Sequence, residues 1–374
     1  MNVLIVSASF YPRISPRSFR TTELVKELLK RDYKVTLCIP DYNYSYNDFV
    51  DNDNLDIIFL DKENFNKGNH KIIDDSDSVI NKIKCLLRKN IGQVVKKYTY
   101  YPNFKYFFAI KKQFNQKKEF DVVISIAYPH TIHWAVNSLI RNNKLITKKW
   151  IADCGDPFML EKVSGSKKAF YFKYFEKSFC KKADYITIPE ISGKKDYYTE
   201  FQNKIVEIPQ GFNFSEIKIN TIFQENKTVT FAYAGNFYPG VRDPRPILNY
   251  LSNLTNINFK FIVYVSSFDL IRDFIDKLGN KLEIREFVPR NELIYSLSEM
   301  DFLINIKNGD YPANPSKLID YSLSGRPILS INSQNIDEDL FNQFLNRNYS
   351  NKTVVDIEKY DIKTVVDKFE LLFN

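Results

Sequence analysis

Histidine occurs only three times in 374 residues, at His70, His130 and His133, and cysteine four times, at Cys38, Cys85, Cys154 and Cys180. Three histidines are too few for a His-rich metal centre. No two cysteines form a CxxC pair, so a zinc ribbon and a disulfide scaffold are excluded and no metal is expected. Glycine is scarce at 11 and no GxGxxG occurs, which removes the usual dinucleotide fingerprint and disfavours a Rossmann oxidoreductase. No stretch approaches the ~18 uninterrupted apolar residues of a membrane span. The opening MNVLIVSASFYP has no basic leader region and reads as a buried strand rather than a secretory signal, so a cytoplasmic chain is expected.

Hydrophobic residues make up 44% and charged residues 26%, the balance of a globular chain rather than a disordered one. The length suits two domains at roughly 100–200 residues each. Net charge is +8 and it is unevenly placed. Between Lys82 and Lys118 stand eleven cations and no acid, interleaved with Tyr98, Tyr100, Tyr101, Phe104, Tyr106, Phe107, Phe108 and Phe114. The run KKAFYFKYFEKSFCKK (167–182) repeats that texture. Two readings stand side by side: helices with solvated lysines over apolar inner faces, or peripheral contact with an anionic membrane surface or lipid phosphate. Nucleic acid is disfavoured, because no recognition motif accompanies the charge and the rest of the chain is slightly acidic.

Apolar runs alternate with helical periodicity along the chain. Strands are expected at 2–8, 34–40, 56–61, 121–127, 148–157, 184–189 and 204–213, with helices at 17–31, near 76–98, and at 131–143 and 169–183. The pattern restarts with strands at 228–235, 259–266, 282–288, 301–307 and 326–332. The helices here are 245–254, 268–278, 291–300, 314–325, 336–346 and 361–373. Strand–helix alternation argues for an α/β chain with parallel sheets covered on both faces, and its restart argues for two such domains. The boundary is placed at 1–210 and 211–374, with the last helix free to pack back on the first domain. Doubly wound sheets place ligands outside the carboxyl ends of their strands, so two facing domains would form a cleft that holds two substrates.

The runs YAGNFYPGVRDPRPIL (233–248), REFVPRNELIYSLSEMDFLINI (285–306) and NPSKLIDYSLSGRPILSI (314–331) resemble sugar-nucleotide glycosyltransferases of the GT-B fold, with two doubly wound Rossmann-like domains. The likeness is to family four, whose members retain anomeric configuration, and to its capsule and O-antigen relatives. In the first domain YPRISPRSFRTTELVKEL (11–28), DVVISIAYPHTIHWA (121–135) and KKADYITIP…KIVEIPQGFN (181–213) agree. The resemblance implies transfer of a sugar from a nucleotide-sugar donor, UDP-sugar ahead of GDP-sugar, to a hydroxyl of a glycan or lipid-linked acceptor in surface polysaccharide biosynthesis. It implies no cofactor, the nucleotide-sugar being a substrate; the cations and aromatics of 82–118, in the domain that handles acceptors in that family, point to a peripheral place on the inner face of the membrane. A nucleotide-sugar epimerase and a non-catalytic binding protein of the same fold are the alternatives.

By that resemblance, Gly235, Asn236 and Arg242 cradle the diphosphate and Val288 frames the base. Asn314 and Lys317 open a helix beside the phosphates. A cation in a first helical turn is unfavourable on dipole grounds alone, and a bound phosphate would offset the cost. Asp320 falls where the family carries a glutamate that binds the ribose diol. The partner glutamate eight residues earlier is absent, its place being taken by Pro312; Asn308, Asp310 and Asn314 are candidates to replace it. His130, in the loop after strand 121–127, matches a histidine near the donor sugar, whereas His133 reads as packing. Asp153 and Asp156, in WIADCGDPF, are candidates to orient the acceptor hydroxyl or act as base; capping is the plainer role for each. Arg13, Arg17 and Arg20 follow the first strand and are candidate contacts to an anionic acceptor.

Overall fold

The structure, a computed structural model, describes residues 1–46, Phe49, 52–62, 98–160, 168–222, 224–307 and 315–374. The helix expected near 76–98 up to residue 97, residues 82–97 of the basic stretch 82–118, and Asn308, Asp310, Pro312 and Asn314 lie outside the described residues. The chain divides into two units, residues 1–212 with 360–374, and residues 213–359.

The first unit is built on a seven-stranded sheet, ordered β3-β2-β1-β4-β5-β6-β7. Its strands are β1 (Asn2–Ser7), β2 (Lys34–Asp41), β3 (Leu55–Lys62), β4 (Lys118–Ile126), β5 (Leu145–Asp153), β6 (Tyr185–Ile188) and β7 (Ile205–Glu207). All pair in parallel. In β1 the five residues Val3–Ser7 are buried on both faces, which is why they read as a continuous apolar run rather than an alternation. The helices are α1 (Pro16–Lys30), α2 (Lys105–Gln113), α3 (Thr131–Arg141) and α4 (Phe172–Lys182). Ser15 caps α1 by accepting from the amide of Ser18, and Pro16 opens it, the residue types that suit those positions. Helix α2 is a short element in a region whose sequence pattern gave no clear period.

The second unit carries a five-stranded parallel sheet, ordered β10-β9-β8-β11-β12. Its strands are β8 (Val229–Ala234), β9 (Phe259–Tyr264), β10 (Leu282–Arg285), β11 (Phe302–Lys307) and β12 (Ile328–Asn332). Helices α5 (Arg245–Asn253), α6 (Arg272–Leu278), α7 (Arg290–Ser298), α8 (Pro315–Leu323) and α9 (Glu338–Leu345) surround it. Phe231 stacks between Phe261 and Phe302 at ring separations of 4.9 and 4.7 Å, fixing the centre of that core.

The last helix, α10 (Ile362–Glu370), belongs to the first unit. Its Ile362, Val365, Val366 and Phe369 join Leu24, Val25 and Leu28 of α1 in one buried cluster. Arg31 then clamps it, with Nη1 2.6 Å from Asp367 and 2.8 Å from Glu370. In each sheet the strand order reverses beside the first strand, at β1/β4 and at β8/β11, and such switch points open crevices at the carboxyl ends of the strands.

Candidate functional site

At the switch point of the second sheet, β8 ends in Gly235, whose φ of +131° suits glycine and strains a side chain. The amide of Gly235 donates to Tyr264 O at 2.9 Å, carrying the chain one residue past the strand. Asn236 Oδ1 accepts from the amide and hydroxyl of Ser266 at 3.2 and 2.7 Å, and its carbonyl accepts from the Tyr233 hydroxyl. Asn236 therefore braces the loop through its side-chain oxygen and its carbonyl. The loop returns as a tight turn in which Tyr238 and Arg242 exchange backbone hydrogen bonds.

Helix α8 is tied to β8 by Tyr321, whose hydroxyl accepts from the amide of Ala234 at 2.7 Å. Lys317 stands four residues earlier and so shares that face of the helix. Its Nζ lies 3.5 Å from the centre of the Tyr233 ring and against the Cα side of Gly235. The residue is half-buried, but the ammonium has essentially no exposed surface and no hydrogen-bond partner among the described residues. Burial, and then the nearby Arg242, push the Lys317 ammonium well below the usual lysine range. Arg242 stacks its guanidinium 4.8 Å over Tyr238, and its Nε is buried without a partner among the described residues. Burial pushes the Tyr233 hydroxyl up to about 12, with Arg242 opposing. A cation–π contact supplies only part of what an ammonium loses on leaving water. A buried ammonium beside a partly buried guanidinium is the electrostatic form of an anion site.

Asp320, three residues beyond Lys317, is half-buried and paired with Arg290 of α7, Nε to Oδ1 at 2.8 Å. Burial pushes its carboxyl upward, opposed by Arg290. Both contacts to Arg290 fall on Oδ1. Arg290, not among the expected site residues, opens α7 in the segment EFVPRN that follows β10. Val288 is partly buried against the apolar layer under α8.

In the first unit, Arg20 reaches from α1 to Asp153 at the end of β5 with a two-pronged ion pair at 2.5 and 2.7 Å. Its remaining hydrogen bonds go to the carbonyls of Pro209 and Ile208 at 2.6 and 3.1 Å. Thr187 Oγ1 donates to Asp153 Oδ1 at 2.6 Å. Asp153 has no exposed surface and Arg20 almost none. Burial pushes the Asp153 carboxyl up, but Arg20 outweighs it and holds the group below the usual range. These two residues spend their charge on each other and join α1 to β5 and the end of β7. That corrects the expectation that Asp153 faces an acceptor hydroxyl and that Arg20 faces an acceptor anion.

Arg13 is exposed in the loop before α1. His130 is buried and its Nε2 lies 3.1 Å from Asp156 O. A carbonyl only accepts, so Nε2 carries the proton. The Asp156 carboxylate itself is exposed. His133 is fully buried between Ser125 Oγ at 2.8 Å and Cys154 Sγ at 3.4 Å. Burial, then His130, hold its pKa well below the usual imidazole value, so it serves packing. Among the described residues no group of three or more His, Cys, Asp or Glu side chains could hold a metal, and no helix is long and apolar enough to cross a membrane.

No family model matches this chain, and no curated protein matches it. Solved structures do. HepE of Anabaena in complex with UDP is similar at a TM-score of 0.57 and 8% identity, with 99% of each chain covered. The fold is GT-B. A glycosyltransferase from Rickettsia africae is similar at 0.56 and 12% identity, over 100% of this chain and 97% of that one. A UDP-GlcNAc 2-epimerase from Neisseria meningitidis bound to UDP-GlcNAc is similar at 0.51 and 14% identity over the whole of both chains. Two Rossmann-like units with parallel sheets of seven and five strands are the GT-B plan. Within it, Gly235, Arg242, Lys317 and Asp320 stand at the strand ends of the second unit, and Arg17, His130 and Asp156 at those of the first.

Proposed function

We propose that this chain is a retaining glycosyltransferase that moves a sugar from a nucleotide diphosphate donor, UDP ahead of GDP, to a hydroxyl of a glycan or lipid-linked acceptor. The observation that carries the reading is the Lys317 ammonium, buried without a partner among the described residues beside Arg242 and the strand-end Gly235. A diphosphate supplies the two missing negative charges, and its departing oxygen gains more as the sugar–phosphate bond breaks. Asp320 accepts from the ribose hydroxyls, with Arg290 holding the carboxylate in place. Val288 frames the base. The sugar C1–O bond to phosphate breaks, C1 bonds to the acceptor oxygen on the same face, and the acceptor proton passes to the departing phosphate. His130 and Asp156 are the groups of the first unit that we assign to the reacting centre, and no cofactor is invoked.

The test is binding of UDP, GDP and their sugars by thermal shift, then transfer with mixed donors. A ligand at 100 times its dissociation constant stabilises by about 2.7 kcal/mol. Shifts that vanish in Lys317→Ala and Arg242→Ala support the reading, and equal shifts in wild type and both variants would sink it. A nucleotide-sugar epimerase is the second reading, favoured by the whole-length likeness to the 2-epimerase. Product analysis separates the two: an epimerase converts the donor sugar with no acceptor present.

Contact with an anionic membrane belongs to the same proposal. Of the basic stretch, the described part presents exposed Tyr101 and Phe108 beside Lys111 and Lys112, and Phe170 and Tyr174 add exposed rings at the start of α4. Each cation near such a surface contributes about 1 kcal/mol at most. Pelleting with anionic vesicles should be reversible, weaken in salt, and fall when Lys111 and Lys112 are changed to Ser. A wild-type chain that ignores anionic vesicles at low salt returns these lysines to a solvated role.

A further inference from the structure

Two guanidiniums of the first unit converge on one carboxylate. Arg20 takes both oxygens of Asp153. Arg17, one helical turn earlier, is left with Nη1 4.0 Å from the same group and donates no side-chain hydrogen bond among the described residues. Among Arg17, Arg20 and Asp153 there is one more positive charge than negative, and Asp156 is the other carboxylate near Arg17.

The surplus faces a cavity of about 100 Å³ walled by Arg17, His130, Gly155, Asp156, Phe158 and Lys168. Gly155 shapes that wall, because a Cβ there would overlap the Arg17 guanidinium. The loop carrying it is held open by Glu176, whose carboxylate accepts from the amides of Phe158 at 2.8 Å and Met159 at 3.2 Å. Lys168 sits 4.9 Å over the Phe158 ring, adding a second cation.

We infer that this cavity is a phosphate subsite for the acceptor: Arg17 and Lys168 hold a phosphate group, and the exposed Asp156 carboxylate meets the hydroxyl beside it. The inference rests on the glycosyltransferase reading for the word acceptor, and narrows that acceptor to one that carries phosphate near its reactive hydroxyl. A guanidinium pairs with phosphate through parallel N–H bonds, and Arg17 has its donors to give. Gly155 is the position that admits the Arg17 guanidinium here, since a side chain there would displace it.

Calorimetric titration of inorganic phosphate tests this on the full chain. The variants are Arg17→Gln, Gly155→Ala, Lys168→Gln and a Lys317→Gln/Arg242→Gln double change. We expect saturable binding that survives the double change, weakens at least tenfold in Arg17→Gln and Gly155→Ala, and weakens severalfold in Lys168→Gln. Loss of binding in the double variant alone would place the phosphate in the second unit and overturn the inference, as would affinity unchanged by Arg17→Gln. Should Arg17→Gln fail to fold, Lys168→Gln decides, and unchanged affinity there overturns the subsite. Glycerol 3-phosphate and dimethyl phosphate then distinguish a monoester from a diester source. Preference for either supports the subsite and names the source, and binding of neither overturns it. A chain that binds phosphate here but no nucleotide would sink the donor reading while leaving this site standing.

Discussion

Two buried cations at corresponding places in the two sheets are treated in opposite ways. Arg20, at the carboxyl end of the first sheet, meets a carboxylate that Thr187 also holds, and two carbonyls. Lys317, at the carboxyl end of the second, meets a tyrosine ring and another cation. A charge that the chain satisfies itself is architecture. A charge that it desolvates and leaves unsatisfied waits for something from outside, because an unpaired buried ion is costly to keep. The contrast separates residues that look alike in the sequence, where each is a cation near a strand end.

Removing the acid from the satisfied pair should have the largest effect. Asp153→Ala leaves Arg20 buried and unpaired, and should lower stability by roughly 3–5 kcal/mol in urea unfolding. A loss under 1 kcal/mol would mean that the pair is not what joins α1 to β5. Because the folded Asp153 carboxyl lies below its ordinary value of 3.8, its contribution is present above that pH and disappears as pH falls through the depressed folded value.

Lys317→Met should act with the opposite sign on the empty chain. It removes an unpaired ammonium and keeps the apolar stem, so ligand-free stability should rise by roughly 1–3 kcal/mol. The same variant should lose roughly 1.5–3 kcal/mol of nucleotide binding, the worth of a charged hydrogen bond. A variant that loses stability and keeps its ligand would erase the contrast with Arg20. The folded ammonium has its pKa below the ordinary 10.5, so the unfolded chain binds the extra proton in between. Wild-type stability should therefore rise relative to Lys317→Met as pH climbs from the depressed value toward 10.5, narrowing the gap. A gap that is constant with pH in paired thermal melts would show that Lys317 is not desolvated.

Asp320→Asn should give the smallest effect, about 1 kcal/mol, and only toward ribose. It should weaken a ribonucleotide more than its 2′,3′-dideoxy counterpart. Equal losses would leave Asp320 as the partner of Arg290 and nothing more.

The two strand-end clusters were legible to different depths. Gly235 reads as a turn directly after TVTFAYA, and Lys317 reads as a cation at a helix start; both are local patterns. The pairing of Arg20 with Asp153 spans 133 residues, and no pattern in either segment says that one arginine of three will reach it while Arg17 stops short. Gly155 reads as an ordinary loop glycine until the Arg17 guanidinium is seen lying where its side chain would be. Helix α2 was hidden because its aromatic residues serve two purposes: Tyr106 and Ile110 are buried while Phe108 is exposed, which blurs the period.

The sequence by itself determined the α/β alternation, the two parallel sheets and the set of residues that would stand at their strand ends. Apolar runs and helical spacing are local properties, and parallel strands put all their carboxyl ends on one side. Only the tertiary structure decided which of those residues face one another. Whether a cation is paired or left waiting depends on approaches of an ångström or two between segments far apart in the chain, and an arginine 2.5 Å from Asp153 and one 4.0 Å from it are the same letter in the sequence.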